Sequence, residues 1–445
     1  MTSEPDSATQ GTALLTDHYE LTMLAGALRS GVAGRRAVFE VFARHLPHGR
    51  RYGVVAGTGR LLDALERFTF SAGDLHFLHS AGVTDDLTCQ YLERFRFTGD
   101  IWGYAEGDCY FPGSPILVVE AAFAEAVVLE TVILSVLNHD CAIASAASRM
   151  VTAAGGRPLI EMGSRRTHEL SAVASARAAY LAGFAATSNL RAGHDYQVPT
   201  SGTSAHAFTL VHDSERHAFS SQLATLGPGT TLLVDTYDVE RAVRTAVELA
   251  GPDLGAVRID SGDLPVVARQ VRSLLDELGA TRTRIILTGD LDEYSIAALA
   301  ALPVDGYGVG TSLVTGSGAP TAALVYKLVA RALEPGPEAG LRPVAKRSVG
   351  KPGRGGRKWA LRRRDDRGTA HAEVVSTEPP EASPADRLLL QPLVRAGQIV
   401  GREPLAAARE RHQRSLAELP LHARQLSRGY PAIPTVFVPD GEFAE

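Results

Sequence analysis

The chain has 445 residues, of which 45% are hydrophobic, and a formal net charge of -5 at pH 7. That length predicts two or three domains, each with its own core, and the net charge gives no electrostatic reason to expect a nucleic-acid partner. The N-terminus lacks the apolar segment of a signal peptide, and the three cysteines have no C-x-x-C spacing, which argues against a disulfide framework or a zinc knuckle. A reduced, soluble, cytoplasmic protein is therefore expected.

The region before residue 120 mixes helical and β-rich patterns. Helices are expected at residues 18–28 and 59–67, and strands at residues 37–42 and 116–119. We interpret residues 1–120 as an N-terminal α+β domain.

The longest apolar stretch covers residues 121–137 and contains Glu125 and Glu130. Two carboxylates inside it indicate a buried amphipathic helix rather than a membrane span. We therefore expect no membrane partner.

Short β-rich runs alternate with helical segments through the middle of the chain, which is the cadence of βα units. The helical segments 239–250 and 264–278 carry apolar residues at helical intervals and end at Gly251 and Gly279. We predict an α/β catalytic domain at residues 121–330, built as a (β/α) barrel of the TIM type, complete or incomplete; an open doubly wound sheet is the alternative. The strands are expected at residues 158–160, 183–185, 232–234, 257–259, 285–287 and 306–309.

Each predicted strand is followed by polar or glycine residues. The carboxyl ends of barrel strands converge on one face, so these residues would meet in one pocket, whereas an open sheet would spread them along an edge. Turn and helix-cap chemistry explains any single cluster equally well. The clusters lie at residues 161–166, 187–189, 235–236, 260–263, 288–290 and 310–312.

The pattern changes after residue 330. A loop with proline and glycine at residues 334–337 precedes a basic run at residues 342–367, whose glycine-rich centre is residues 351–358. The run is either a phosphate-contacting loop or, more simply, a solvated β-hairpin. A surface helix is expected at residues 406–419, and we interpret residues 331–445 as a C-terminal segment that packs with the N-terminal domain.

His206 follows a turn rich in glycine, serine and threonine and stands at the start of a predicted helix. Histidine acts as a nucleophile, base or transient phosphate carrier near neutral pH. A nucleophilic imidazole needs its other nitrogen held by an acceptor, and Asp235 at the end of the next strand is the expected orienting group. A satisfied core or capping histidine is the alternative.

Arg258 lies on a predicted strand between Val257 and Ile259, so it is expected to be buried and to need an anionic partner. That partner is either a bound anion, since guanidinium matches carboxylate and phosphate in bidentate geometry, or an aspartate of the chain. Asp260 and Asp263 follow on the same loop. Asp263 is also a candidate N-cap of the next helix.

Five motifs in this order resemble the nicotinate phosphoribosyltransferase family of type II phosphoribosyltransferases: residues 16–23, 161–166, 202–206, 258–263 and 308–311. The resemblance extends from about Leu14 to Phe437. It implies a reaction that joins nicotinate to the ribose of phosphoribosyl pyrophosphate, giving nicotinate mononucleotide and pyrophosphate for NAD biosynthesis or salvage. It also implies that ATP hydrolysis to ADP and phosphate is coupled to this reaction through a phosphohistidine, for which His206 is the matching residue.

The resemblance implies a role for each matching residue. Catalysis is expected of His206, Asp235 and Asp260, and nicotinate binding of Tyr19, Arg165, Thr203 and Arg258. Phosphoribosyl pyrophosphate is expected at Arg166, Ser261, Gly262, Asp263, Gly289, Asp290, Gly308, Gly310 and Thr311. Mg²⁺ should accompany phosphoribosyl pyrophosphate and ATP, with ATP a co-substrate. Tyr19 should complete the site of a second subunit, so a homodimer is expected.

One segment departs from the family pattern. Where relatives show Asp-Gly-Thr-Ser-Asn, this chain has Ala185 and Ala186 before Thr187, Ser188 and Asn189. In related nicotinamide-using enzymes an aspartate in this region engages the amide, so Ser188 favours the acid as substrate.

Other functions remain open at the level of sequence. A nicotinamide or quinolinate phosphoribosyltransferase shares the barrel plan. A non-catalytic relative that binds phosphoribosyl pyrophosphate would be expected to lack Asp260, Asp263 or His206, and all three are present. A phosphate-binding barrel lyase would normally carry a Schiff-base lysine, and the predicted strands contain no lysine.

Overall fold

The computed structural model describes residues 11–336, 339–346 and 354–438. The chain forms two compact units, one from residues 1–142 with 321–445 and the other from residues 143–320. These limits differ from the predicted domain boundaries, because residue 330 falls inside the strand Leu324–Pro335 of the first unit.

The helices and strands follow one another in three segments of the chain. The first segment contains α1 (His18–Ser30), β1 (Arg35–Ala43), β2 (Gly53–Val54), α2 (Thr58–Glu66), α3 (Ala72–Ser80), α4 (Asp86–Glu93), β3 (Asp100–Tyr104), β4 (Cys109–Tyr110), β5 (Leu117–Ala122), α5 (Phe123–Val127) and α6 (Glu130–Ala154). The middle segment contains β6 (Leu159–Glu161), α7 (Glu169–Leu181), β7 (Ala186–Thr187), α8 (Leu190–Tyr196), α9 (His206–Leu210), α10 (Glu215–Leu226), β8 (Thr231–Leu233), α11 (Val239–Ala250), β9 (Ala256–Ile259), α12 (Leu264–Glu277), β10 (Arg284–Leu287), α13 (Glu293–Leu299), β11 (Gly306–Val309) and α14 (Thr311–Val314). The last segment contains β12 (Leu324–Pro335), β13 (Leu341–Pro343), β14 (Trp359–Arg364), β15 (Ala370–Ser376), β16 (Arg387–Leu388), β17 (Leu390–Arg395), β18 (Gln398–Ile399), α15 (Leu405–Ala417) and β19 (Thr435–Phe437).

The first unit is built on a seven-stranded sheet in the order β13-β12-β1-β5-β3-β17-β18. Its neighbouring strands are antiparallel, and β1 lies between β5 and β12. Phe39 of β1 stacks on Tyr326 of β12 with the ring centroids 4.7 Å apart, inside the hydrophobic core of the unit. The first and last segments of the chain therefore share one sheet and one core.

The second unit contains a six-stranded sheet in the order β7-β6-β11-β10-β9-β8. All of its neighbouring strands are parallel, so their carboxyl ends lie at the same edge. Within the described residues β7 and β8 are the two end strands of this sheet. The predicted mixed α/β fold with alternating strands and helices is confirmed.

The helices of this unit begin and end as their sequences indicate. Asp238 caps α11 by accepting a hydrogen bond from Arg241 N at 2.8 Å, and the helix ends at Gly251 with φ 78°. Asp263 caps α12 in the same way, accepting from Val266 N at 3.3 Å. Such caps fix where each helix leaves the sheet edge.

Two sequence predictions, one in each unit, are wrong. The apolar stretch 121–137 is not one helix, because Ala121 and Ala122 pair with β1 as the end of β5 before α5 and α6 begin. The strand expected at residues 183–185 starts only at Ala186, since Gly183 turns the chain with φ 121° after α7.

Within the basic run 342–367, residues 347–353, which include the start of its glycine-rich centre, lie outside the described residues. In the described part, β13 joins the seven-stranded sheet and β14 pairs with β15 in another sheet, so the run is not a single hairpin. Lys358 Nζ contacts Glu40 Oε2 at 2.7 Å, and Arg362 pairs with Glu373, all four side chains being buried. Lys358 and Arg362 therefore form buried ion pairs and are not solvated charges of a surface loop.

Candidate active site

A cavity of about 390 Å³ opens at the carboxyl ends of β6, β9, β10 and β11. All of its lining residues belong to the second unit. The structure thus brings together polar clusters from strand ends that are far apart in sequence. The lining consists of Met162, Arg165, Arg166, Ser188, Ser201, Gly202, Thr203, Ser204, Ala205, Arg258, Asp260, Thr288, Gly289, Asp290, Gly308, Gly310 and Thr311.

Arg258 is the most strongly bound cation of the cavity. Its side chain is 15% exposed and donates from Nη2 to Asp260 Oδ1 at 2.8 Å and from Nε to Thr288 Oγ1 at 3.0 Å. Nη1 reaches Thr203 Oγ1 at 3.3 Å. The anionic partner of Arg258, which the sequence alone left open, is therefore Asp260. The contact with Thr203 also connects the turn at residues 202–206 to the end of β9.

Asp260 sits in a surrounding that favours its charged form. Burial of the carboxyl opposes ionisation, but the hydrogen bond from Thr288 and the contact with Arg258 outweigh it, so the pKa of Asp260 lies below its usual value. An ionised carboxylate therefore faces the cavity beside a guanidinium group.

His206 begins α9, directly after the cavity-lining Ala205. Its Nδ1 is 3.2 Å from Thr236 Oγ1, and its Nε2 is 3.9 Å from Asp235 Oδ1. The orienting hydrogen bond thus comes from Thr236 rather than from the predicted Asp235, whose carboxylate lies beside the other nitrogen. The histidine side chain is 41% exposed, so its ring is accessible to a ligand.

Asp235 itself is held rigidly. Its side chain is 2% exposed, and Oδ2 accepts hydrogen bonds from Asp260 N at 2.9 Å and Ser261 Oγ at 2.6 Å. These bonds link the end of β8 to the loop after β9. Asp235 Oδ1 has no hydrogen-bond partner among the described residues and is the carboxylate oxygen that lies 3.9 Å from His206 Nε2.

Arg165 and Arg166 stand on the turn after β6 and are exposed. The turn is closed by Arg166 N, which donates to Gly163 O at 2.8 Å. Neither guanidinium group has an ion pair or side-chain hydrogen bond within the described residues, although both line the cavity. Two cations without a protein partner make this wall suited to an anion.

A second wall is made of backbone. Gly289 has φ 106°, and a Cβ atom there would lie 2.4 Å from Asp260 O, so only glycine fits. Asp290 follows with φ 45°. Gly308, Gly310 and Thr311 complete this wall at the end of β11 and the start of α14. The residues of the predicted phosphate cradle therefore line the cavity with backbone, and their binding of phosphate stays a prediction.

Besides His206 and Asp235, four further predicted residues lie outside the cavity lining. Among the described residues, Ser261, Gly262 and Asp263 form an exposed turn outside the cavity lining, with Asp263 acting as the cap of α12. Tyr19 belongs to α1 of the first unit and is 44% exposed. Burial and the carboxylate of Glu130, to which it is hydrogen-bonded, raise the pKa of Tyr19 to about 12. Their assignment to ligand binding stays a prediction.

Thr288 belongs to the polar cluster 288–290 that the sequence predicts at a strand end, but the sequence assigned it no role in the site. A threonine after a short β-rich run is also an ordinary turn residue, and only its contacts with Arg258 and Asp260 distinguish it. Met162, Ser201, Gly202, Ser204 and Ala205 also line the cavity but belong to motifs already singled out.

Known proteins resemble this chain in both sequence and structure. Residues 14–138 match the model of the nicotinate phosphoribosyltransferase (NAPRTase) N-terminal domain. The chain is 60% identical to nicotinate phosphoribosyltransferase pncB1 of Mycobacterium tuberculosis over 446 aligned positions, covering 98% of this chain and 97% of the relative. The chain belongs to the nicotinate phosphoribosyltransferase family.

More distant members extend the match. The nicotinate phosphoribosyltransferase of Bacillus subtilis is 39% identical over 328 positions, covering 72% of this chain and 66% of that protein. The crystal structure of human nicotinic acid phosphoribosyltransferase has a TM-score of 0.81 at 26% identity and covers 95% of this chain and 97% of the human one. The mixed α/β fold is therefore that of solved structures of the nicotinate phosphoribosyltransferase family.

Metal clusters and membrane spans are both absent from the part of the chain that the structure describes. It contains no group of three or more His, Cys, Asp or Glu side chains able to hold a metal ion. In the same residues, every helix is too short or too polar to cross a membrane.

Proposed function

We propose that this protein is a nicotinate phosphoribosyltransferase that joins nicotinate to phosphoribosyl pyrophosphate, releases pyrophosphate and couples the reaction to ATP hydrolysis. The observation that carries the proposal is the cavity itself: Arg165 and Arg166 line it without an ion pair among the described residues, next to the charged pair Arg258 and Asp260. Such a surface suits two anionic substrates, a pyridine carboxylate and a phosphorylated sugar.

The roles follow from the charges. Loss of pyrophosphate develops positive charge at the anomeric carbon of the ribose, which the ionised Asp260 stabilises while it binds the sugar hydroxyls. Arg258, with Thr203 and Arg165, binds the carboxylate of nicotinate. Arg166 and the backbone of Gly289, Asp290, Gly308, Gly310 and Thr311 bind the phosphates. A contribution to phosphoribosyl pyrophosphate binding is also proposed for the exposed turn after β9, which consists of Ser261, Gly262 and Asp263.

Mg²⁺ would arrive with the substrate and would neutralise negative charge on the pyrophosphate that leaves. Asp290 is the carboxylate of the cavity lining that would hold it together with the substrate phosphates, because Asp260 is assigned to the ribose hydroxyls. One or two carboxylates plus substrate phosphates are the usual protein environment of Mg²⁺ in phosphate-transfer sites. A dedicated cluster of three carboxylates is therefore not required.

His206 is the proposed phosphoryl carrier. Nδ1 is engaged by Thr236, which leaves Nε2 as the nucleophile. Nε2 attacks the γ-phosphorus of ATP, the N–P bond forms as the P–O bond to ADP breaks, and water later takes the phosphoryl group to give phosphate. Asp235, 3.9 Å from Nε2, stabilises the ring while it carries a positive charge.

The proposal extends to the assembly and the larger architecture. We infer a homodimer in which Tyr19 completes the partner's nicotinate site, and a cytoplasmic location. We also propose a functional division into residues 1–120, 121–330 and 331–445 with an incomplete (β/α) barrel. The exposure of Tyr19 leaves it accessible to a partner subunit, and the six-stranded parallel sheet supports the incomplete barrel.

The test is a pyrophosphate-release assay with phosphoribosyl pyrophosphate and Mg²⁺. Nicotinate, nicotinamide and quinolinate are compared as substrates, each with and without ATP. We expect release with nicotinate rather than nicotinamide, because Ser188 lines the cavity where an aspartate would engage the amide. We also expect ATP to stimulate this release. Release with nicotinamide but not with nicotinate would refute the proposal, and release with quinolinate alone would favour the dicarboxylate enzyme.

A further inference from the structure

Thr288 lies between the two charged groups of the cavity. The residue is 3% exposed and stands just after β10. Its hydroxyl accepts a hydrogen bond from Arg258 Nε at 3.0 Å and donates one to Asp260 Oδ1. The side chain thus connects the guanidinium group and the carboxylate in addition to their direct contact.

The chemistry of the partners fixes the direction of both bonds. A guanidinium group only donates, so the hydroxyl oxygen must accept from Arg258. The single hydroxyl proton then goes to Asp260, whose ionised carboxylate only accepts, because the other acceptor in reach, Ile259 O, is farther away at 3.4 Å and uncharged. The ring of contacts closes through Arg258 Nη2 and Asp260 Oδ1 at 2.8 Å. Each of the three groups therefore restricts the other two.

The methyl group of Thr288 sets the direction of the hydroxyl. A Cβ atom on Gly308 of β11 would lie 2.5 Å from Thr288 Cγ2, so the methyl group occupies the space above that glycine. A β-branched side chain has few χ1 choices, and one methyl contact therefore fixes the hydroxyl as well. Valine would keep the methyl without the hydroxyl, and serine the hydroxyl without the methyl.

We propose that Thr288 is a positioning residue of phosphoribosyl transfer, whose hydroxyl holds Arg258 and Asp260 in the one arrangement that meets the substrate. This inference rests on the proposed function. Its physical basis is that displacement of a reacting group by about 1 Å can cost on the order of a hundredfold in rate.

The ionisation of Asp260 gives a readout that a purely structural role would not change. Burial raises the pKa of this carboxyl, and the hydrogen bond from Thr288 is the foremost of the effects that lower it. Loss of the hydroxyl therefore raises the pKa of Asp260, and the acid limb of the pH profile of kcat/KM moves to higher pH. Partial unfolding reduces the active fraction but leaves the limb in place.

The experiment compares wild-type enzyme with Thr288→Val, Thr288→Ser and Thr288→Ala in the pyrophosphate-release assay across pH. Thr283→Val is the matched control, since Thr283 precedes the same strand, is 1% exposed and has a hydroxyl without a hydrogen-bond partner among the described residues. Thr288→Val should lose about tenfold or more in kcat/KM and shift the acid limb upward. Thr288→Ser should retain the wild-type limb, and Thr283→Val should match wild type throughout.

The outcomes separate the two proposals. If wild-type protein releases no pyrophosphate with nicotinate, the proposed function fails and the inference falls with it. If wild type is active and Thr288→Val equals it in rate and in the acid limb, only the role of Thr288 is overturned. Should Thr288→Val not fold, Thr288→Ser and Thr288→Ala isolate the hydroxyl, and equal acid limbs in these two variants would overturn the role.

Discussion

Replacement of His206 by asparagine should abolish phosphorylation of the enzyme while leaving the fold intact. The side chain is 41% exposed and makes one hydrogen bond within the described residues, to Thr236 Oγ1 at 3.2 Å. Loss of one such bond costs about 0.5–1.5 kcal/mol, and partial exposure places the cost at the lower end. The melting temperature should therefore fall by only a few degrees.

The effect on phosphoryl transfer is of a different order. Asparagine has no nitrogen lone pair able to attack ATP, so incorporation of label should fall to background. The enzyme is incubated with γ-labelled ATP, quenched in base and counted before and after mild acid, which hydrolyses phosphohistidine. Pyrophosphate release with nicotinate is measured in parallel, and its stimulation by ATP should disappear.

His212 offers the matched control. It lies six positions further along, and its Nδ1 is 2.7 Å from Phe208 O, so a second histidine of the same neighbourhood can be removed without touching Thr236. His212→Asn should label and respond to ATP like wild type. Label that persists in His206→Asn, or is lost equally in both variants, would refute the assignment of His206 as the phosphoryl acceptor.

Three further predictions concern the cavity wall, acid stability and the assembly. Gly308→Ala should lower stability by about 1–3 kcal/mol and should also lower activity, because the new Cβ atom would lie 2.5 Å from Thr288 Cγ2. A Cβ atom at Gly202 would have no neighbouring atom within 4 Å, so Gly202→Ala should melt at the wild-type temperature. Burial lowers the pKa of His412 from 6.5 to about 4, so on acidification the unfolded state takes up a proton before the folded state does. The free energy of unfolding therefore falls as pH decreases from 6.5 towards 4. His412→Gln should flatten the dependence of this free energy on pH in that range, and an unchanged dependence would contradict the assignment. Tyr19→Ala should be inactive alone, but its mixture with His206→Asn should regain pyrophosphate release that ATP stimulates. A mixture without ATP stimulation would argue against a shared site.

Much of the second unit was predictable because its signals are local. Alternating β-rich and helical segments predicted the parallel sheet, and the common polarity of its carboxyl ends predicted that Arg258, Asp260 and the turn at residues 202–206 would meet. The orientation of His206 was not predictable. Asp235 and Thr236 are adjacent, and only the geometry decides that Thr236 reaches Nδ1 while Asp235 lies beside Nε2.

The first unit was harder because its sheet depends on pairing between distant segments. β1 pairs with β12, which follows it by nearly three hundred positions, and no local pattern encodes that choice. The cations of the basic run show the same limit. Composition assigns Lys358 to a solvated loop, but its side chain is buried in an ion pair with Glu40, which lies more than three hundred positions earlier in the chain.

The departure at Ala185 and Ala186 leaves the hydrogen bonds of the adjoining loop in place. Thr187 donates its hydroxyl proton to the buried Glu161 at the end of β6 and accepts a hydrogen bond from Asn189 N at 2.9 Å.

Glu161 also accepts from Gly163 N, and Asn189 Nδ2 donates to Ser164 Oγ at 3.1 Å. The turn that carries Arg165 and Arg166 is thereby fastened to the loop after β7. None of these bonds uses a side chain at residues 185 or 186. Because burial raises the pKa of Glu161, its charge depends on the bonds from Thr187 and Gly163, and it is this network that keeps the cavity wall in shape. Two alanines before it are therefore compatible with the proposed nicotinate site.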